Sequence, residues 1–227
     1  MLARPHTCHY YDAALTTLQE RILEMGGLVE RQIASATTAF VDRDSELARR
    51  IMDRDSVLDE LDMHIDELCI RLLARHQPTG RDLRLITAGS KISTDLERIG
   101  GLAVHLCACT VELNSQPLLE VPIDLPRMAD GVQLMLRQGL DAFVRQDAEL
   151  ALHVCAADCT IDDLNDQFYR QLVGLMVQRP EAIGRAIRLA AIAKDLERIG
   201  DHATNIAEAV VFVLTGKSIR HVTRAVR

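Results

Sequence analysis

The chain has little aromatic content: no tryptophan, three tyrosines and four phenylalanines, 3% of 227 residues. It also has only six prolines, and Leu, Ala, Ile, Arg, Asp and Glu dominate the remainder, a balance that suits long helices and argues against a sandwich or barrel. No apolar run approaches the length needed to cross a bilayer. The longest, AVVFVL at 209–214, is a third of it. The opening MLARPHTCHYYDAAL lacks the apolar stretch of a secretion signal, so a cytoplasmic protein is expected. Excess positive charge is absent too: the formal net charge of -7 speaks against nucleic acid as the main partner. The six cysteines contain no C-x-x-C, and in a reducing compartment they are expected to be free, buried or half-buried thiols. Cys155 and Cys159, one helical turn apart, are the pair that could face a common ion. Finally, E-x-x-H, which di-metal oxidases of helical bundles require on two helices, occurs nowhere.

What the chain does contain is 48% hydrophobic residues, enough to bury a core without disulfides, and an internal duplication. The stretch AFVDRDSELA at 39–48 matches AFVRQDAELA at 142–151, and DSVLDELD at 55–62 matches DCTIDDLN at 158–165, both set 103 positions apart. DLERIG then occurs at 95–100 and again at 195–200, so about three residues are missing from the second copy near its turn. Between the copies, SQPLLEVPIDLP at 115–126 holds three prolines and reads as a linker. The expected organisation is a first unit over 1–114, the linker 115–126, a second unit over 127–215 and a basic tail over 216–227.

Within each unit the apolar spacing is helical. Leu58, Leu61, Ile65, Leu68 and Leu72 alternate steps of three and four, as do Ile192, Leu196, Ile199, Ala203, Ile206, Val210 and Val213. Breaks are expected near Arg43 and Asp44, Pro78, the linker, Gln146 and Asp147, and Pro180. Asp44 and Asp147 stand where a short acceptor side chain caps the second helix of each unit. The predicted fold is all-α: two tandem, pseudo-symmetric, antiparallel three-helix bundles made of six long helices.

Beside the apolar seam runs a stripe of acids, Asp55, Asp59, Asp62 and Asp66, along one side of a helix. Its counterpart in the second unit is Asp158, Asp162, Asn165 and Tyr169, so D-x-x-x-D is the shared part. In the last helix Glu197, Asp201 and Asn205 are again spaced by four. Two facing helices with carboxylates one turn apart can surround hard or borderline cations with oxygen ligands; a solvated acidic face is the competing reading. Gly200 would leave space for close approach, Asp195 lies on another flank suited to a salt bridge, and Arg98 and Arg198 suit structural salt bridges.

The runs AKDLERIGDHATNIAE (193–208), ISTDLERIG (92–100) and QPTGRDLR (77–84), together with the repeat, resemble the PhoU family of phosphate-regulatory proteins over nearly the whole chain. The resemblance implies two similar three-helix bundles. It also implies a non-enzymatic negative regulator of phosphate uptake and phosphate-starvation signalling, often dimeric and cytoplasmic. Such a protein acts as an adaptor between a phosphate ABC transporter and a membrane sensor histidine kinase, associating with the membrane through these partners. Some family members bind multinuclear iron or zinc clusters. Carried onto this sequence, the second-unit ligands are Asp158, Asp162, Glu197 and Asp201. The first-unit ligands are Asp55, Asp59 and Glu97, with Gly101 where the family has its last Asp and His105 as a substitute ligand. The alternatives are a carboxylate-bridged di-metal enzyme and a metal-free interaction bundle. The tail GKSIRHVTRAVR carries four basic residues and no acid, a composition that suits an anionic membrane surface or an acidic partner.

Overall fold

The computed structural model describes residues 5–54, 56–119, 121 and 124–219. The chain forms α1 (Pro5–Val41), α2 (Ser45–Met52), α3 (Ser56–His76), α4 (Gly80–Asn114), α5 (Leu125–Arg145), α6 (Ala148–Gln178), a single 3-10 turn (Pro180–Ala182) and α7 (Ile183–Thr215). There is no strand among the described residues. The two bundles are α1, α2 with α3, and α4, followed by α5, α6 and α7.

Equivalent turns end the first helix of each bundle. Arg43 and Gln146 both take positive φ, 55° and 56°, and the next residue donates its backbone N–H five residues back, Asp44 to Ala39 and Asp147 to Ala142. The Asp44 carboxylate then accepts from the N–H groups of Glu46 and Leu47, and Asp147 from those of Glu149 and Leu150, which are the expected caps. The Arg43 guanidinium reaches the carbonyls of Leu113, Asn114 and Gln116, partnering acceptors that the end of α4 leaves open.

The second helix of the first bundle is not continuous as expected: it breaks after Met52 into α2 and α3. Its counterpart α6 runs 31 residues without interruption. The difference lies in two positions. Asp53 and Arg54 stand where α6 has Ala156 and Ala157, and alanine is the strongest helix former, whereas aspartate competes for backbone amides. At the break, Arg54 N–H bonds to Ile51 O and Val57 N–H to Arg54 O, three-residue turns in place of the four-residue ladder.

The seam residues lie in the core. Leu58, Ile65 and Leu72 are buried and Leu61 and Leu68 partly so, while Ile192, Leu196, Ile199, Ala203, Ile206, Val210 and Val213 are all buried. Both DLERIG helices do more than close their own bundles. α4 packs lengthwise on α7, and one continuous hydrophobic core runs through both halves. No helix of the described residues is long and apolar enough to cross a membrane. The basic positions 220–227 lie outside the described residues.

Candidate metal centre

In the second bundle, α6 presents Asp158 toward α7. Its carboxylate is buried, and a methyl group built on Gly200 would lie 3.6 Å from its Oδ1. Glu197, one turn earlier on α7, is largely buried, and its Oε2 makes no hydrogen bond. The Lys194 ammonium lies 2.6 Å from that oxygen, off hydrogen-bond geometry, and supplies the positive charge that a buried carboxylate needs. Asp162 and Asp201 are half-buried at the edge of the same helix pair. The donor types suit a hard or borderline cation. Among the described residues, however, no three His, Cys, Asp or Glu side chains gather closely enough to hold one ion. The fold therefore brings Asp158 to the α7 turn that carries Glu197 and Asp201, while closing four carboxylates on an ion requires side-chain rotation and displacement of Lys194. Gly200 is less crowded than expected: an added Cβ would meet nothing nearer than Ile161 at 3.5 Å.

The first bundle differs. Asp55 lies outside the described residues, Asp59 is exposed, and Glu97 is half-buried with Arg98 Nε 3.4 Å from its Oε2. The inward members of the acidic stripe are Asp62 and Asp66. Asp66 accepts from the Ser90 hydroxyl, and Asp62 has one buried oxygen without a hydrogen bond. Burial pushes the Asp62 carboxyl above the usual carboxylate range; Ser93 and Arg98 oppose this, and the charges of Asp66 and Asp59 reinforce it. The tight glycine is here as well, since a Cβ on Gly100 would fall 2.3 Å from Leu58 Cδ1.

The first residue of each hexapeptide has a role that the sequence showed only in part. Asp195 is buried on the α4 side of α7 and holds His105, Nδ1 to Oδ2 at 2.6 Å, so the expected salt-bridge flank is an inter-bundle contact. Asp95 on α4 reaches back across the same interface to His202 Nδ1 at 2.8 Å and accepts from Asn205 Nδ2 at 3.2 Å. Each Asp thus pairs with the residue ten positions beyond its counterpart, Asp95 with Asn205 and Asp195 with His105, as the pseudo-symmetry of the duplication requires. His105 is engaged in this contact and does not join Glu97. Burial holds the Asp195 carboxyl above its ordinary range, although His105 and the Arg198 charge pull it down. The recurrence of Asp at 95 and 195, with His105 and Asn205 at equal distance, was the available signal.

The thiols divide as well. Cys69, Cys107, Cys109 and Cys155 are buried and free, Cys159 is exposed and free, and Cys155 and Cys159 therefore face different surroundings. Burial pushes the thiols of Cys69, Cys107 and Cys155 up to about 12 and that of Cys109 to about 11.

Comparison with known proteins gives a consistent result. The PhoU domain model matches residues 22–110 and again 125–210. The chain is 40% identical over 220 residues to a Pseudomonas aeruginosa protein named phosphate-specific transport system accessory protein PhoU homolog, covering 96% of this chain and 90% of the relative. It is 34% identical over 217 residues to the Escherichia coli K12 accessory protein PhoU, covering 96% and 90%. The crystal structure of PhoU from Pseudomonas aeruginosa superposes with a TM-score of 0.87 at 40% identity, over 91% of this chain and all of that one. That of the phosphate transport system regulatory protein PhoU from Streptococcus pneumoniae gives 0.85 at 29% identity, over 92% and 98%. With two matched domains, whole-length relatives and a shared tandem-bundle fold, this chain belongs to the PhoU family.

Proposed function

We propose that the protein is a non-enzymatic accessory regulator of phosphate transport, restraining phosphate uptake and phosphate-starvation signalling in the cytoplasm. It acts as an adaptor between a phosphate ABC transporter and a sensor histidine kinase. The observation that carries this reading is the likeness, over 96% of the chain, to proteins named as accessory to phosphate-specific transport. The surface is compatible with two contacts of similar character. Ile70 and Leu83 are exposed near the α3–α4 turn, and their repeat equivalents Val173 and Ile183 are exposed near the α6–α7 turn. Exposed apolar side chains at equivalent places in both bundles would give an adaptor two similar contacts, alone or as a homodimer.

A carboxylate metal site belongs to the same proposal, with Asp158, Asp162, Glu197 and Asp201 as ligands in the second bundle and Asp55, Asp59 and Glu97 in the first. Bound iron or zinc would cross-link facing helices and neutralise their carboxylates. A metal-free bundle is the second reading, favoured by the Lys194 ammonium beside Glu197. Deleting the gene tests the regulatory role: phosphate-starvation genes are then expressed in phosphate-replete cells, and the purified protein captures transporter or kinase components. Unchanged expression and uptake in the deletion strain would refute it.

A further inference from the structure

The first bundle has a part that the duplication did not copy. α1 has 37 residues and its counterpart α5 has 21, and on the repeat alignment α5 begins opposite Ile22. The additional turns of α1 lie against the C-terminal end of α3. Tyr11 ties them to the start of α4 by donating its hydroxyl to Asp82 Oδ2 at 3.2 Å. A cleft of about 390 Å3 opens there, with Tyr10 and Thr17 on α1 and Arg71, Leu72, Arg75 and His76 on α3.

The polar side chains of this cleft are cationic or neutral, and its two arginines are exposed to solvent. Arg71 and Arg75 are one helical turn apart and so lie side by side. Among the described residues no carboxylate lines the cleft, and neither guanidinium is ion-paired. The His76 ring is set at the rim by Tyr11 and Tyr10, with ring centroids 4.8 and 6.3 Å away. The floor includes buried Leu72. Paired guanidiniums with hydroxyl and imidazole groups nearby match the oxygens of a phosphoryl dianion. In the second bundle Gly174 and Gln178 replace the two arginines, so neither the added helical wall nor the charge pair is present there.

We infer that the α1–α3 cleft binds a phosphoryl group, carried either by inorganic phosphate or by a phosphorylated metabolite. Its volume is in the range of small-molecule sites, about 300–1,000 Å3, and exceeds what a single tetraoxyanion fills. A ligand whose remaining part lies on Tyr10 and Leu72 therefore binds more tightly than free phosphate.

Calorimetric titration of the full chain, in chelator-containing buffer at physiological salt, tests this with inorganic phosphate, ADP and chloride as probes. ADP is expected to bind more tightly than phosphate, and chloride not at all. Arg71→Gln and Arg75→Gln are each expected to weaken binding by about tenfold or more. Arg170→Gln, on the exposed face of α6, should leave it unchanged. Unaltered far-UV circular dichroism of the variants keeps misfolding apart from lost recognition. Phosphate binding as tightly as ADP would identify the free ion as the source of the group. No binding of either phosphoryl probe at millimolar concentration, or equal affinity in the Arg71→Gln/Arg75→Gln variant, would overturn the inference.

Discussion

The two DLERIG glycines occupy equivalent helix positions, yet the structure assigns them opposite responses to a methyl group. Replacing a mid-helix glycine by alanine gains about 0.5–1 kcal/mol from backbone entropy. At Gly200 that gain is kept, because the new Cβ would sit 3.5 Å from Ile161 Cγ2 and 3.6 Å from Asp158 Oδ1 and Val132 Cγ1, ordinary contacts. At Gly100 the Cβ would fall 2.3 Å from Leu58 Cδ1. Leu58 is buried but also lines an open cleft beside Leu28 and Val57, so its end must turn away from Gly100, at a cost up to the roughly 1–3 kcal/mol typical of overpacking. Gly200→Ala is therefore expected to stabilise by about 0.5–1 kcal/mol and Gly100→Ala to destabilise by up to about 2. Urea unfolding followed by far-UV circular dichroism, in chelator-containing buffer so that metal linkage does not contribute, reads the difference as a shift in midpoint. Adding Leu58→Val to Gly100→Ala should cost less than the two single changes summed, since the shorter side chain vacates the clash. Equal stability of Gly100→Ala and Gly200→Ala, or strict additivity with Leu58→Val, would refute the argument.

His105→Ala leaves the buried Asp195 carboxylate without its hydrogen-bond partner across the α4–α7 interface. A loss of about 1–3 kcal/mol is expected, and Asp195→Asn, which removes the charge, should cost less; thermal melts showing no loss for His105→Ala would contradict this. Asp62 has a folded-state pKa raised chiefly by burial, so its contribution to stability is complete below the unfolded carboxylate value and is lost as pH rises through the folded one. Asp62→Asn should then stabilise at pH 7 by roughly 0.5 kcal/mol, as relief of the buried charge and of the Asp66 and Asp59 repulsions outweighs the lost Arg98 attraction, with no gain near pH 3; urea midpoints giving the same gain at both would rule it out. Of the five described cysteines, native-state alkylation mapped by mass spectrometry should modify Cys159 first, because the other four are buried with weakly acidic thiols. Metal analysis of protein prepared without chelator should find bound ion that falls in Asp201→Ala and Glu197→Ala more than in Glu97→Ala. No bound ion in the parent protein would leave the Lys194–Glu197 pair as the resting arrangement.

Local regularities were legible without coordinates. The three-four alternation of Leu58 to Leu72 and of Ile192 to Val213 named the buried faces, and Asp44 and Asp147 named the caps. The duplication named the two bundles. The α2–α3 break was less visible, because it depends on the modest helix preferences of Asp53 and Arg54 against Ala156 and Ala157.

The candidate site was legible in residue type more than in arrangement. The acidic stripe marks one flank of a helix, but rotation of a few tens of degrees decides whether Asp59 or Asp62 turns inward, and packing sets that rotation. The second DLERIG helix illustrates the same division. Periodicity alone placed Leu196 and Ile199 in a core and Glu197 beside it, since helical geometry is local and repeats every 3.6 residues. That Asp95 and Asp195 clasp partners on the opposite helix, and that Arg71 and Arg75 wall a cleft with α1, were settled only in three dimensions. Those contacts join different helices that the hydrophobic core brings together, and no spacing within one helix encodes their relative position.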